Sequence, residues 1–396
     1  MATSERDSPA LKAEASRAMA AGDLRSAAAL LEEATRLPGP GDVDLWISLA
    51  GCRRGLADTG GAAAAVDRAL AIEPRHFLAL LMRASLLERT GEARAAGRAY
   101  GIALTQAPPA AALDEVTRRA TEHARQAHAR YLAELQSALT REIGAGGAAS
   151  GPEQRRISAF VDRLVGKRRV FHQEPVQFNY PGLPEIEFLD REDFPWLAAF
   201  ETETGAIREE LEAVLADDAS ELAPYVNYPD GVPIDQWAEL NRSPRWSAYH
   251  LLQGGGVVEE HARKCPRTMR AIQLLDQPRV PGRSPSAMFS VLKPRTRIPP
   301  HTGVSNTRLV LHLPLILPPG CGFRVGSETR AWREGEAWVF DDTIEHEAWN
   351  DSDLPRTILI CDVWNPRLSA AERELITTIM IGMDRFSGAQ PAQDGL

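Results

Sequence analysis

Residues 308–317 read RLVLHLPLIL, and no other stretch constrains the fold as tightly. Arg308, Val310, His312, Pro314 and Ile316 alternate with Leu309, Leu311, Leu313, Leu315 and Leu317. Successive side chains of a strand point to opposite faces. A period of two therefore predicts a β-strand whose all-leucine face lies against a core. The other face carries Arg308 and His312, which assigns it to a polar cavity. Two more histidines frame the strand, His301 just before it and His346 in a later acidic loop-to-strand segment. A barrel of short strands brings such positions together, and neutral imidazole is a common ligand for a borderline metal. The competing reading is a pair of hydrogen-bonded core histidines.

The neighbouring segments fit a β-domain. From Trp246 onward, short apolar runs alternate with turn signals: WSAYHLLQGG, SAMFSVLKP, RLVLHLPLIL, GFRVG, EAWVFDD and RTILICDVW. Several short strands at this spacing predict an antiparallel sandwich or barrel. A proline-punctuated entry over residues 178–201 precedes them. Ala199 to Leu215 reads as one amphipathic helix, with Ile207, Leu211, Val214 and Leu215 on one stripe.

The first part of the chain obeys a different period. Residues 10–109 are rich in alanine and leucine at helical spacing, and they repeat. Ala50, Ala69, Leu70 and Pro74 recur 34 residues later as Ala84, Ala103, Leu104 and Pro108, and Trp46 matches Leu80. A 34-residue period of paired helices resembles the tetratricopeptide repeat, and GDLRSAAALLEEATRLPGP supplies half of an earlier unit. About three units are expected, stacked as a short solenoid. Leu113 to Ile143 continues as helix. The stretch GAGGAASGPEQ, residues 144–154, predicts a flexible linker and the domain boundary. The expected organisation is a disordered tail over 1–9, helical repeats over 10–143, the linker, and a β-domain over 155–396.

Composition narrows the function. A net charge of -9 argues against a general nucleic-acid binder. Cys52, Cys265, Cys321 and Cys361 are scattered, which suits a reducing compartment better than a disulfide framework. No signal-peptide pattern and no run of 18 apolar residues is present, so a soluble cytoplasmic protein without a membrane span is expected. The basic run Lys167, Arg168 and Arg169 reads as a solvated face.

Residues 246–366 resemble the catalytic domain of the aspartyl/asparaginyl β-hydroxylases. The matching motifs are YPGLPEI with FPWLAAFE, WSAY…QGG, PHTG-x-x-N-x-R-L-x-x-HL, FDD-x-x-EHE-x-W and the closing DVWNP, so the likeness extends over about residues 178–370. The resemblance implies a multidomain chain, a tetratricopeptide-like α-helical solenoid followed by a double-stranded β-helix of jelly-roll or cupin-like form. It implies an iron(II)- and 2-oxoglutarate-dependent dioxygenase that uses O2 to hydroxylate a C–H bond, foremost the β-carbon of Asp or Asn in a polypeptide. The repeats would then guide a peptide or protein substrate.

Carried over residue by residue, the resemblance makes His301 and His346 the iron ligands. Most such oxygenases place a carboxylate two residues after the first histidine. Gly303 stands there, a departure shared with the family, in which water fills the vacant position. Asp342, four residues before His346, would bond that water, or else accept backbone bonds in a turn. Arg356, with Ser290 assisting, would hold the distal carboxylate of 2-oxoglutarate, a task that suits a planar bidentate cation. His312 would bond its metal-chelating end. Arg308 is the candidate for a substrate carboxylate or carboxamide, against a structural ion pair. The family's second arginine after Arg308 is replaced by Val310, which leaves the substrate open. Lipid acyl chains and small amino-acid-derived compounds are alternatives, as are another metal and a non-catalytic scaffold. Ile272 replaces a cysteine that would pair with Cys265, so no disulfide is expected there.

Overall fold

The helical half folds because its apolar stripes and its turns agree. The computed structural model describes residues 7–37, 42–146 and 151–387. Three helical hairpins follow one another: α1 (Ser8–Ala20) with α2 (Leu24–Thr35), α3 (Val43–Gly55) with α4 (Thr59–Ile72), and α5 (Phe77–Arg89) with α6 (Ala93–Leu104). Each turns on a residue of positive φ, namely Gly22, Ala57 and Gly91. Asp7, Asp23, Asp42 and Asp58 cap the first four helices, each carboxylate accepting an amide three residues on. Ala50, Ala69, Ala84 and Ala103 are fully buried, and their small size lets the helices approach. The 34-residue recurrence therefore marks equivalent packing positions in successive hairpins.

Two expected boundaries shift. Residues 1–6 of the expected tail lie outside the described residues, but Ser8 and Pro9 already form the first turn of α1. Residues 147–150 of the expected linker also lie outside them. The rest of that stretch is helical: α7 (Glu115–Gly146) runs into it and α8 (Gly151–Leu164) leaves it. Gln136 of α7 bonds Asp162 at 3.1 Å and also accepts from Lys167, which ties α8 to the helical unit. The chain accordingly divides between Lys167 and Arg168, not at residues 144–154.

The second unit carries the β-domain. The expected single helix over 199–215 is two, α9 (Leu197–Thr202) and α10 (Thr204–Asp217), separated at Glu203, whose amide turns back to the carbonyl of Phe200. The strands are β1 (Ala223–Pro224), β2 (Trp246–Gln253), β3 (Gly256–Val257), β4 (Ala287–Leu292), β5 (Thr296–His301), β6 (Arg308–Ile316), β7 (Cys321–Val325), β8 (Glu328–Arg330), β9 (Trp338–Phe340), β10 (His346–Asn350) and β11 (Arg356–Trp364). Three more helices, α11 (Glu259–Lys264), α12 (Pro266–Ile272) and α13 (Ala370–Ser387), complete it.

The strands make two antiparallel sheets. The larger runs β1-β2-β4-β11-β6-β9, with β3 on β2, and the smaller runs β5-β10-β7-β8. This is the expected double-stranded β-helix. The alternation in β6 does what its sequence dictates. Leu309, Leu311, Leu313 and Leu315 join Ile207 and Leu211 of α10 and Ile272 of α12 in the outer core. Val310 faces the other way and packs with Phe323, Ile298 and Ala348 of the smaller sheet. Strand β5 escaped the sequence reading because TRIPPH contains two prolines. It is tolerated because β5 is an edge strand of its sheet. All four cysteines are free, Cys265 among them. Among the described residues, no helix is long and apolar enough to cross a membrane.

Candidate active site

The site is built where the two sheets face each other. Strand β10 pairs with β5 in a register that sets His346 directly opposite His301. Their ring centroids are 4.0 Å apart. Nδ1 of His301 donates to the carbonyl of Pro299 at 2.7 Å, and Nδ1 of His346 donates to that of Ile344 at 3.1 Å. A carbonyl only accepts, so each neutral ring keeps its lone pair on Nε2. Burial holds both rings neutral. It pushes His301 down to about 4, and it pushes His346 well below its ordinary value with His301 adding to the effect. Two adjacent neutral imidazoles with their second nitrogens fixed by carbonyls have the form of a metal-binding pair.

Gly303 and Asp342 are sterically linked. The Gly303 amide donates to the Asp342 carbonyl at 2.7 Å. A Cβ on Gly303 would lie 2.0 Å from Asp342 Oδ2. The Asp342 carboxylate thus fills the volume that a side chain at 303 would need. Its Oδ2 accepts from Arg308 Nη1 at 3.1 Å, while buried Oδ1 has no partner among the described residues. Burial raises this acid to about 6, against the pull of Arg308. Among the described residues, no group of three His, Cys, Asp or Glu side chains forms a metal site. The arrangement is two histidines with a carboxylate beside them.

Across the cavity, β11 starts with Arg356, opposite Leu292 of β4. Arg356 is 2% exposed. No hydrogen bond or ion pair engages its guanidinium among the described residues, and it stands 5.5 Å from the Trp332 ring. Burial lowers its pKa to about 10. Ser290 lies in the adjacent inward row of β4, its Oγ accepting from Trp246 Nε1 at 3.0 Å. His312 is held well below its ordinary pKa by burial and by Arg356. Its ring lies nearly parallel to Trp332 at 5.7 Å, and its buried Nδ1 has no partner among the described residues.

All seven residues singled out from sequence, His301, His346, Asp342, Arg356, Ser290, His312 and Arg308, line one cavity. Arg308 makes the ion pair that stood as the alternative to holding a substrate. Besides Asp342, its guanidinium lies 3.6 Å from Asp362, so its charge is engaged by this chain's own acids. Sequence reasoning missed Tyr225, Met288, Ile360, Asp362 and Trp332. Asp362 sits in the DVW motif and Ile360 two residues earlier on the same strand face, so both were findable. Tyr225 and Trp332 lie in loops or at strand margins that carry no periodic signal.

Residues 201–366 match the family described as Aspartyl/Asparaginyl beta-hydroxylase. The ornithine lipid ester-linked acyl 2-hydroxylase of Rhizobium tropici is 36% identical over 201 residues, which cover 50% of this chain and 67% of that protein. The human aspartyl/asparaginyl beta-hydroxylase is 35% identical over 151 residues, covering 38% of this chain and 20% of that protein. Human aspartate beta-hydroxylase domain-containing protein 2 is 30% identical over 212 residues, covering 52% of this chain and 55% of that protein. The chain thus spans about a fifth to two thirds of these relatives.

Proposed function

Because this chain belongs to the aspartyl/asparaginyl β-hydroxylase family, we propose that it is an iron(II)- and 2-oxoglutarate-dependent dioxygenase that hydroxylates a C–H bond. The observation that carries the reading is Arg356. A guanidinium that is fully buried and has no anion of its own is costly unless a ligand supplies one. The cavity that holds it also holds the His301–His346 pair. A ligand with a carboxylate at one end and a chelating keto-acid at the other satisfies both ends at once. Arg356 would take the distal carboxylate, in the planar two-bond geometry that favours arginine. Ser290 Oγ stands beside that position and His312 farther along.

The residues fit the metal. Nε2 of His301 and of His346 would hold it. The unpartnered Oδ1 of Asp342 fits a water at the position that Gly303 leaves without a ligand. When bound, iron supplies the O2 activation that an unactivated C–H bond requires. One oxygen atom enters the C–H bond and the other enters succinate, as 2-oxoglutarate loses CO2. The protein's part is to fix both ring orientations, hold the diacid and keep water from the centre. The names of the relatives divide between aspartyl or asparaginyl side chains and a lipid-linked acyl chain, and the reading covers the reaction common to both. The helical unit, whose groove between α6 and α7 is lined by Arg94, Arg98, Tyr131 and Leu135, is the surface it reserves for a polypeptide partner.

The test is succinate formation by the full-length protein with iron(II), ascorbate and 2-oxoglutarate. Turnover above a metal-free control, lost in His346→Ala and in Arg356→Met, is expected. Turnover that survives either substitution, or no 2-oxoglutarate binding at all, ends this reading.

A further inference from the structure

We propose that Gln173 is a positioning residue of the histidine pair. Its side-chain amide ties the loop that follows His301 to the loop that precedes His346, and so fixes the separation of the two imidazoles. Gln173 lies outside residues 201–366, the part of the chain that matches the family. The proposal rests on the reading of His301 and His346 as metal ligands and concerns what holds them in place. It starts from the ends of the strands. His301 and His346 are the last pair of the β5–β10 ladder, beyond a shift of register between His346 and Ala348. Such an irregularity disrupts a ladder locally. His346 is also paired with Val325 of β7, whereas His301 ends an edge strand. The loop after His301 therefore needs a further hold. With two histidines as the ligands, binding a metal depends on their mutual placement.

The segment 173–178 supplies that hold, and its backbone amides reach both loops. Glu174 donates to the Thr343 carbonyl at 2.8 Å, Val176 to that of Gly303 at 2.9 Å and Phe178 to that of Val304 at 3.0 Å. Gln173 pairs in an isolated bridge with Ile344, whose carbonyl accepts from His346 Nδ1. The Gln173 side chain then spans the gap: Nε2 donates to Asp341 Oδ2 at 2.5 Å, and Oε1 accepts from Asn306 Nδ2 at 3.0 Å. Both partners are buried and themselves fixed. Asp341 Oδ1 accepts from the Thr343 amide at 3.0 Å and from its Oγ at 2.6 Å. Asn306 Oδ1 accepts from the Tyr180 amide at 2.7 Å, and Asn306 Nδ2 also donates to the Tyr180 carbonyl at 2.9 Å. A carboxylate only accepts and an amide nitrogen only donates. The bridging side chain must therefore offer a donor on one branch and an acceptor on the other, which glutamine does. Glutamate, of nearly the same shape, would set acceptor against acceptor at Asp341.

The experiment titrates the full-length protein with Co(II) and reads the dissociation constant, the visible ligand-field spectrum and, separately, the urea midpoint. Gln173→Glu is expected to weaken Co(II) binding roughly tenfold to a hundredfold, the range for a lost contact behind metal ligands, and to alter the spectrum. Gln173→Met removes both bonds without adding charge and should weaken binding about tenfold. Asp341→Asn alone should weaken it too, because two amide nitrogens then face each other. Gln173→Glu combined with Asp341→Asn reverses the bond between the two residues and keeps the net charge. The pair is expected to return affinity to within about threefold of wild type. Thr268→Val is the stability control: it removes a 2.7 Å bond to Glu210 that involves neither loop. Affinity in Gln173→Met within about twofold of wild type overturns the proposal, and the metal-site reading survives if His346→Ala abolishes binding. Losses in the two single variants that merely add in the double variant also overturn it. So does an equal loss in Thr268→Val, which would trace the effect to general stability. Co(II) binding unchanged in His346→Ala removes the metal-site reading and the proposal together.

Discussion

Replacing Arg356 by methionine separates what the apo protein gains from what the ligand-bound protein loses. Burial lowers the Arg356 pKa to about 10. At about 1.4 kcal/mol per pH unit, the fall from its ordinary value makes the buried cation cost roughly 3 kcal/mol. The guanidinium is protonated in the folded and unfolded chain at every pH below about 10. The cost is therefore constant through the neutral range and fades only above that pH. Methionine removes the charge while filling much of the volume, and apolar replacement of a buried ion commonly stabilises by about 1–4 kcal/mol. Urea unfolding of the metal-free protein at pH 7 should show Arg356→Met to be more stable than wild type, by up to roughly 3 kcal/mol. With Mn(II) as a redox-silent metal and 2-oxoglutarate at a hundredfold its Kd, wild type should gain about 2.7 kcal/mol from linkage. Arg356→Met should gain from the metal alone. A variant that is less stable without ligand, or that still gains from 2-oxoglutarate, would show that Arg356 is a satisfied structural residue.

Three further perturbations address other parts of the argument. Gly303→Ala puts a Cβ 2.0 Å from Asp342 Oδ2. The carboxylate must move away from Arg308, so Mn(II) affinity measured by titration should fall at least tenfold while the circular dichroism spectrum is unchanged. Trp332→Leu removes the ring that lies 5.5 Å from the Arg356 guanidinium and parallel to His312. A cation–π contact of about 1 kcal/mol predicts a roughly fivefold or greater rise in the 2-oxoglutarate half-saturation, smaller in Trp332→Phe. His250 is outside the site, and burial pushes it down to about 4, with Nδ1 left without a partner among the described residues. The unfolded chain then binds the proton more readily, so stability should fall as pH drops from about 6.5 towards 4, by up to roughly 3 kcal/mol from this group. Urea unfolding at pH 7 and pH 5 should show a smaller acid loss in His250→Gln than in wild type.

Local pattern carried much of this protein. The two-residue alternation of 308–317 identified both faces of β6 before any coordinates, because the period is a property of extended backbone. The 34-residue recurrence located the helical hairpins, because equivalent packing positions demand equivalent small residues. His301, His346, Arg356, Ser290 and His312, singled out through the resemblance to a known family, line one cavity. The two prolines in β5 hid a strand, since what makes them acceptable is an edge position that only sheet order reveals. The glycine-rich stretch 144–154 looked like a boundary, yet Gln136, Asp162 and Lys167 hold the following helix to the helical unit.

Sequence by itself determined the two domain types and the strand with its apolar and polar faces, and the family resemblance singled out histidines and an arginine that the fold brings to one cavity. Tertiary structure alone decided which charges are free. It paired Arg308 with Asp342 and Asp362, left Arg356 buried without an anion among the described residues, and seated the Asp342 carboxylate in the space above Gly303. The reason is physical. Periodicity and spacing are fixed by local backbone geometry, whereas the state of a charge depends on neighbours that residues far apart in the chain supply only when the sheets close.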